Sequence, residues 1–403
     1  MQLEGMFDLP PRDRSEARWQ VNLPLEQRDW NVGLIVGPSG SGKSTIARRL
    51  LAEYRDAGRE CLDASEFAGN WPADRALIDV FPTALGIKEI TDVLSSVGFS
   101  SPPAWLRPFA VLSTGERFRM TLARSIAEAE TRRQTQVPYA SPPQAASSPT
   151  TVTARFYSRQ PLIFIDEFSS VVDRTVARIG SHAVQKAVRR RGLRLIAASC
   201  HYDILDWLQP DWTYEPHAEA FTWRRLQRRP AIELEIARVH PQAWRLFRVH
   251  HYLDSGLSKL ARCFVGWVGG EPATIVAVLP FPHPARPGWR EHRVVCLPDF
   301  QGVGLGHATS EYVASLFCAT GRPYRSVTSH PAMIAHRARS PVWRMTRPPS
   351  RLGLQRLPKW VRTSSTRRLT ASFEYAGPVR ADDARRFGVV QSASFARHVI
   401  DGQ

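Results

Sequence analysis

Three stretches of this sequence carry residue types whose spacing does chemistry. The first is Gly37, Pro38, Ser39, Gly40, Ser41, Gly42, Lys43, Ser44 and Thr45, directly after the apolar run Val32-Gly-Leu-Ile-Val36. Small residues let backbone N–H groups curl around a phosphate, Lys43 reaches the β- and γ-phosphates, and Ser44 holds Mg2+ at a helix start. The second is Leu162-Ile-Phe-Ile-Asp166-Glu167, an apolar run ending in two carboxylates. Asp166 there suits the Mg2+ shell, and Glu167 suits a general base that polarises an attacking water. The third runs from Arg293 to Glu311 and contains Gln301, Gly302, Val303, Gly304, Leu305 and Gly306. Backbone N–H groups around Gly302 to Gly306 could cradle a pyrophosphate, although a glycine loop alone fits a plain turn as well.

These residues need elements to hold them. Residues 31–45 read as strand, glycine turn and helix start, and residues 112–130 as an amphipathic helix. Residues 161–166 and 193–199 are continuous apolar runs, the pattern of buried parallel strands. The segment 131–158 holds Pro138, Pro142, Pro143 and Pro149 among small polar residues and reads as a flexible insertion. The Arg- and Trp-bearing stretch 223–230 reads as a linker. Beyond it, residues 263–279 read as a hairpin turning at Gly269-Gly270. Strands at 324–328, 342–346 and 369–375 and a helix at 331–339 follow. The expected fold class is α/β: a phosphate-loop domain over 1–230, a mixed α/β domain over 231–380, and a tail over 381–403.

The N-terminal motifs together resemble the ABC ATPases. Leu112-Ser113-Thr114-Gly115-Glu116-Arg117 is similar to the signature loop of that family. Ser170-Val-Val-Asp173 stands where its D-loop would be, and Cys200-His201 where its switch histidine would be. The resemblance implies ATP and Mg2+ as ligands and an ATP-dependent homodimer. In it, Ser113, Gly115 and Glu116 of one subunit lie at the nucleotide of the other, and His201 contacts the γ-phosphate in cis. The sequence departs from the family in having no Gln between Lys43 and Ser113, where Asp79 would stand in as a metal-shell residue. Trp19 or Trp30 would suit an adenine stack, with a core role the favoured alternative.

The C-terminal order of elements resembles the GNAT acyltransferases, with Gln301-x-x-Gly304-x-Gly306 similar to their coenzyme A loop. The resemblance implies acetyl-CoA or another acyl-CoA as donor and direct attack of an amine on its thioester. The tyrosine usual in the helix after the fifth strand is missing; Ser329, His330, His336 and Tyr375 are the substitutes. Ser329-His330-Pro331 is similar to the Mom type of DNA base modifiers within that fold.

Charge bears on the acceptor. The chain of 403 residues carries a net +17, of which +13 falls on residues 231–403, and 49 of its 54 basic residues are Arg. From Arg322 to Arg368 there are twelve basic residues and no acid. Such a run suits nucleic acid, DNA above all, or the phosphates of a coenzyme, whereas an arginine-rich codon usage would give the same composition. Five scattered cysteines suggest neither disulfides nor a zinc site, and no apolar run reaches the length of a membrane span, so a cytoplasmic location is expected. Three readings stay open: a nucleic-acid-modifying acyltransferase with an ATP-driven clamp, an ATP-switched acyltransferase of small amines or protein lysines, and a DNA-binding ATPase with a non-catalytic GNAT-like module.

Overall fold

A computed structural model of the chain describes residues 21–67, 71–135, 152–153, 160–225, 231–251, 256–351 and 369–390. Its first part contains β1 (Val21–Asn22), β2 (Val32–Val36), β3 (Cys61–Asp63), β4 (Val152–Thr153), β5 (Leu162–Ile165), β6 (Arg194–Ser199), β7 (Trp212–Glu215) and β8 (Ala220–Trp223). Six of these form one sheet in the order β3-β5-β6-β2-β7-β8, parallel except for β8. Every residue of β2, β5 and β6 is buried, because helices cover both faces of a parallel sheet. Alternation along β2 divides the core. Val32, Leu34 and Val36 pack with α2 (Ile87–Ser96), α3 (Thr114–Thr135) and α4 (Arg174–Arg191), while Ile35 faces α1 (Lys43–Asp56).

The second part is a seven-stranded sheet of β9 (Glu235–Val239), β10 (Arg262–Val268), β11 (Glu271–Phe281), β12 (Gly288–Cys296), β13 (Tyr324–Thr328), β14 (Trp343–Ser350) and β15 (Thr370–Tyr375). Its order is β14-β15-β13-β12-β11-β10-β9. Gly269 and Gly270 both take positive φ, 60° and 82°, as the two-residue turn between β10 and β11 requires. Only β12 and β13 run parallel, joined by the crossover helix α5 (Leu305–Cys318). Their pairing is confined to Trp289↔Tyr324 and Arg290↔Arg325, although β12 continues to Cys296. The strands therefore part, leaving a gap that α5 and α6 (Pro331–Arg339) flank.

The structure departs from the sequence reading in places. Strand β9 was not expected, because Glu235–Val239 is short and shows no strict two-residue alternation. Trp223, placed in the linker, ends β8, and residues 226–230 lie outside the described ones. The expected insertion lies largely outside them too, apart from the end of α3 and the short β1–β4 pair. Residues 381–390, expected as tail, belong to the second core. A helix at Ala381–Arg386 precedes Phe387, whose ring meets Phe264 and Tyr312, and Arg238 donates to the Phe387 and Gly388 carbonyls. Charge-rich sequence hid an amphipathic face.

Candidate functional site

The carboxyl edge of the first sheet gathers the expected nucleotide residues. Gly37 N donates to the Ser199 carbonyl at 3.3 Å, so the loop leaves β2 level with the end of β6. Gly40 and Gly42 take φ of 78° and 88°, and Gly42 caps α1 in the left-handed conformation. Alternating handedness of this kind turns successive N–H groups inward, the geometry of an anion nest. Lys43 Nζ lies across the loop and donates to the carbonyls of Gly37 (2.8 Å) and Pro38 (2.7 Å). Pro38, Ser39 and Thr45 are exposed, and Ser41 and Ser44 half-buried. Trp30 is a core residue against Trp212, and Trp19 lies outside the described residues.

Asp166 and Glu167 follow β5 at the same edge, since Ile165 registers with Ala197 and Phe168 N donates to the Ala198 carbonyl. Glu167 is exposed with φ 49°, a conformation that costs an L-residue energy and that surrounding structure must hold. His201 follows β6, its N–H on Ser199 Oγ at 3.1 Å. The next acid along, Asp203, is forked by Arg174, the first residue of α4, whose guanidinium also covers Trp207. Asp173 caps that helix by accepting from Val176 N. A serine hydroxyl and a carboxylate, Ser44 and Asp166, are the hard oxygen donors Mg2+ takes. Asp79, the expected metal-shell residue, is exposed in the 3-10 turn Leu77–Val80, which packs on the short helix Pro102–Trp105.

The signature segment opens α3. Ser113 and Glu116 form a capping box: Ser113 N donates to Glu116 Oε2 and Glu116 N to Ser113 Oγ. The Glu116 carboxylate is thereby spent on its own helix start. Ser113 is exposed, whereas Gly115 is buried, with Val176 and Asp299 against it such that an added Cβ would meet them at 3.3 and 3.4 Å. Arg119, fully buried one turn on, pairs with Asp299 at 3.4 Å. Asp299 belongs to the second sheet's side of the molecule.

The loop at Gly302 to Gly306 repeats the geometry of the first. Gly302 and Gly304 take φ of 93° and 92°, and Gly304 caps α5. Nothing lies within 4 Å of a Cβ built on Gly304. The Gln301 amide is engaged by the protein itself: its Oε1 accepts from Ser100 N at 2.6 Å and its Nε2 donates to the Cys296 carbonyl at 2.8 Å. Gly302 is set against Gly98, a Cβ on either colliding with the other's loop backbone. Leu305 is buried in the small core beneath this loop, with Val303 half-buried against it.

A cavity of about 360 Å3 opens beside this loop, between it, α2, α4 and α6. His330 lines it, and its Nε2 donates to the Ser100 carbonyl at 2.8 Å, a second tie between the halves. His307 lies on the wall with its ring stacked on His336 at 3.7 Å, and His336 meets Glu311 at 3.4 Å. Burial, with His336, Arg337 and His330 nearby, pushes His307 down to about 3. Burial and the flanking Arg293 and Arg290 push His292 down to about 4. Both imidazoles are neutral near pH 7 and too weakly basic to take a proton from an ammonium. Ser329 is half-buried next to His330. Tyr375 is not among the lining residues; its phenol donates to the Pro378 carbonyl and its ring meets Trp343 edge-on.

The gap between β12 and β13 holds a group that sequence reasoning missed. Glu291 accepts from Ser310 Oγ (2.5 Å), Ser326 Oγ (2.7 Å) and Arg337 (2.9 and 3.0 Å). Arg337 also bonds Ser310 and Ser326 and lies over the Trp343 ring. Four polar residues from four elements carry no local signal, so only the folded chain reveals them. The acid-free run is likewise not acid-free in space. Arg325 and Arg344 both pair with Glu374, and residues 352–368 lie outside the described ones.

No protein-family profile matches the sequence, and no curated protein matches it. Two kinds of solved structure are similar to parts of it. One is the ABC cassette: cbiO1 from Clostridium perfringens, part of the ABC transporter complex cbiONQ, is 14% identical over 46% of this chain and 72% of that one, with a TM-score of 0.31. The dimeric structure of MJ0796, a bacterial ABC transporter cassette, is 14% identical over 46% of this chain and 80% of its own, with a TM-score of 0.30. The other is the acetyltransferase: one from Bacillus subtilis, in complex with CoA, is 12% identical over 37% of this chain and 100% of its own, with a TM-score of 0.27. The fold itself is mixed α/β with two mixed sheets. Among the described residues, no helix is long and apolar enough to cross a membrane.

Proposed function

We propose that this chain hydrolyses ATP at the loop around Lys43 and transfers an acyl group from acyl-CoA to an amine at the loop around Gly304. The observation that carries this reading is the repeated nest: Gly40 and Gly42, then Gly302 and Gly304, each pair left-handed at a strand-to-helix turn. Two such nests favour two phosphate-bearing ligands. At the first, Ser44 and Asp166 would hold Mg2+, which supplies neutralising charge, and Glu167 orients and deprotonates the attacking water. His201 faces the phosphate that leaves. At the second, the amine nitrogen bonds to the acyl carbon as the carbon–sulfur bond breaks. One proton leaves the amine and one reaches the thiolate. The free edge of β12 beyond Arg290 offers N–H groups to the thioester oxygen.

Nucleic acid remains the acceptor we propose, on the net +13 of residues 231–403. The homodimer is proposed with it, exposed Ser113 reaching the partner's nucleotide. Three variants test the scheme by ATP turnover, by CoA titration and by mass spectrometry of nucleosides from cells expressing the chain. Lys43→Ala is expected to lose ATP binding. Glu167→Gln is expected to bind ATP and lose turnover by at least about a hundredfold, the scale of a removed general base. Gly304→Glu is expected to lose CoA while keeping ATPase activity, and to lack any nucleoside adduct the wild type produces. Normal hydrolysis by Glu167→Gln would overturn the base assignment. Unmodified nucleosides from abundant wild-type protein would move the acceptor to a small amine or a lysine.

A further inference from the structure

We infer that the coenzyme site is completed by the ATPase half, with Lys186 and Arg190 of α4 binding the coenzyme's phosphates opposite the Gly302–Gly306 nest. The inference rests on the proposed acyl-CoA reading and adds residues from the first sheet's side of the molecule. Four observations carry it.

The cavity beside the nest is walled on one side by α4 and on the other by the loop and α6. Its charge is lopsided. Lys186, Arg190 and Arg339 face it, against a single carboxylate, Asp92. That carboxylate is already claimed by Arg190 at 2.7 Å and Arg191 at 2.5 Å. Lys186 and Arg339 are exposed and make no ion pair among the described residues. Cations gathered around a cavity without compensating acids repel one another, and an anionic ligand relieves that cost.

The wall is also fixed in place rather than loosely apposed. Gly98 and Gly302 meet backbone to backbone, and Ala183 of α4 sits against Gly302, within 3.1 Å of a Cβ built there. Ser100 N, Gln301 and the Cys296 carbonyl form a continuous chain of hydrogen bonds, joined by His330 on the Ser100 carbonyl. Lys186 lies one turn of α4 beyond Ala183, so the same contact that seats Gly302 brings the ammonium to the cavity. Finally, the nest side is open, since nothing lies within 4 Å of a Cβ on Gly304. A ligand carrying several phosphates, a pyrophosphate with a further monophosphate, matches a nest facing separate cations.

The test is calorimetric titration of the full chain with CoA and with 3′-dephospho-CoA, comparing wild type, Lys186→Ala, Arg190→Ala and Gly304→Glu. ATP binding is the folding control. The expected result is that Lys186→Ala and Arg190→Ala each weaken CoA about tenfold, the size of a lost charge-assisted hydrogen bond, and leave ATP affinity unchanged. If the cations meet the 3′-phosphate, they lose the wild type's preference for CoA over dephospho-CoA. If they meet the pyrophosphate, both ligands weaken together. CoA affinity unchanged in both variants, with Gly304→Glu defective, overturns the shared site and spares the acyl-CoA reading. CoA binding absent from the wild type, or intact in Gly304→Glu, overturns that reading itself.

Discussion

Arg337 and Glu291 show what a single pair of residues decides. Their side chains are 0% and 4% exposed, and the guanidinium lies 4.1 Å from the Trp343 ring centroid. A buried charge without its partner costs far more than the intact pair contributes. Arg337→Ala leaves the Glu291 carboxylate with only the Ser310 and Ser326 hydroxyls. It is expected to destabilise the chain by about 3–5 kcal/mol, read by denaturant unfolding. Replacing both residues with Met is expected to recover much of that loss. A single variant as stable as the wild type would mean that water reaches the carboxylate. The pair sits where β12 leaves β13, just past their last paired residues.

At the scale of elements, the loop after α2 and the loop before α5 act as one joint. Both Gly98 and Gly304 are left-handed, at φ 83° and 92°, so a side chain at either is strained by about 1–3 kcal/mol. Their surroundings differ. A Cβ at Gly98 would meet the Gln301 carbonyl oxygen at 2.4 Å, whereas one at Gly304 would meet open space. Gly98→Ala is therefore expected to lower the unfolding midpoint more than Gly304→Ala and to weaken CoA without altering ATP affinity. Equal midpoints for the two variants would show that the backbone contact yields without cost. The reason these two loops meet at all is legible only here, since each glycine alone reads as an ordinary turn.

The whole molecule is organised around α4. Its first turn is tied to the nucleotide edge through Asp173 and the Arg174–Asp203 pair, and its last turns carry Lys186 and Arg190. Eighteen residues of helix span about 27 Å, so one rigid element touches both candidate sites. ATP held in Glu167→Gln is expected to change CoA affinity by about fivefold or more, and CoA must change ATP affinity by the same factor. Equal CoA affinity with and without ATP would show that α4 links the sites in space but not in energy. The Asp299 and Val176 contacts on Gly115 belong to the same arrangement, placing the second half against the signature segment.

The sequence by itself determined the local parts: the nest at Lys43, the strand ending in Asp166, and the Gly269-Gly270 hairpin. Those features are made by neighbours in the chain, where φ preference, burial period and hydrogen-bond reach act over a few residues. It also placed the helix at Pro331–Arg339 and the strand at Tyr324–Thr328 correctly. The tertiary structure alone decided that Gln301 serves as a tie and that Gly115 lies against Asp299. It likewise joined Glu291 to Arg337 and set Lys186 before Gly304. Such facts depend on which distant surfaces meet, and contacts between residues far apart in the chain leave no periodicity or spacing along it.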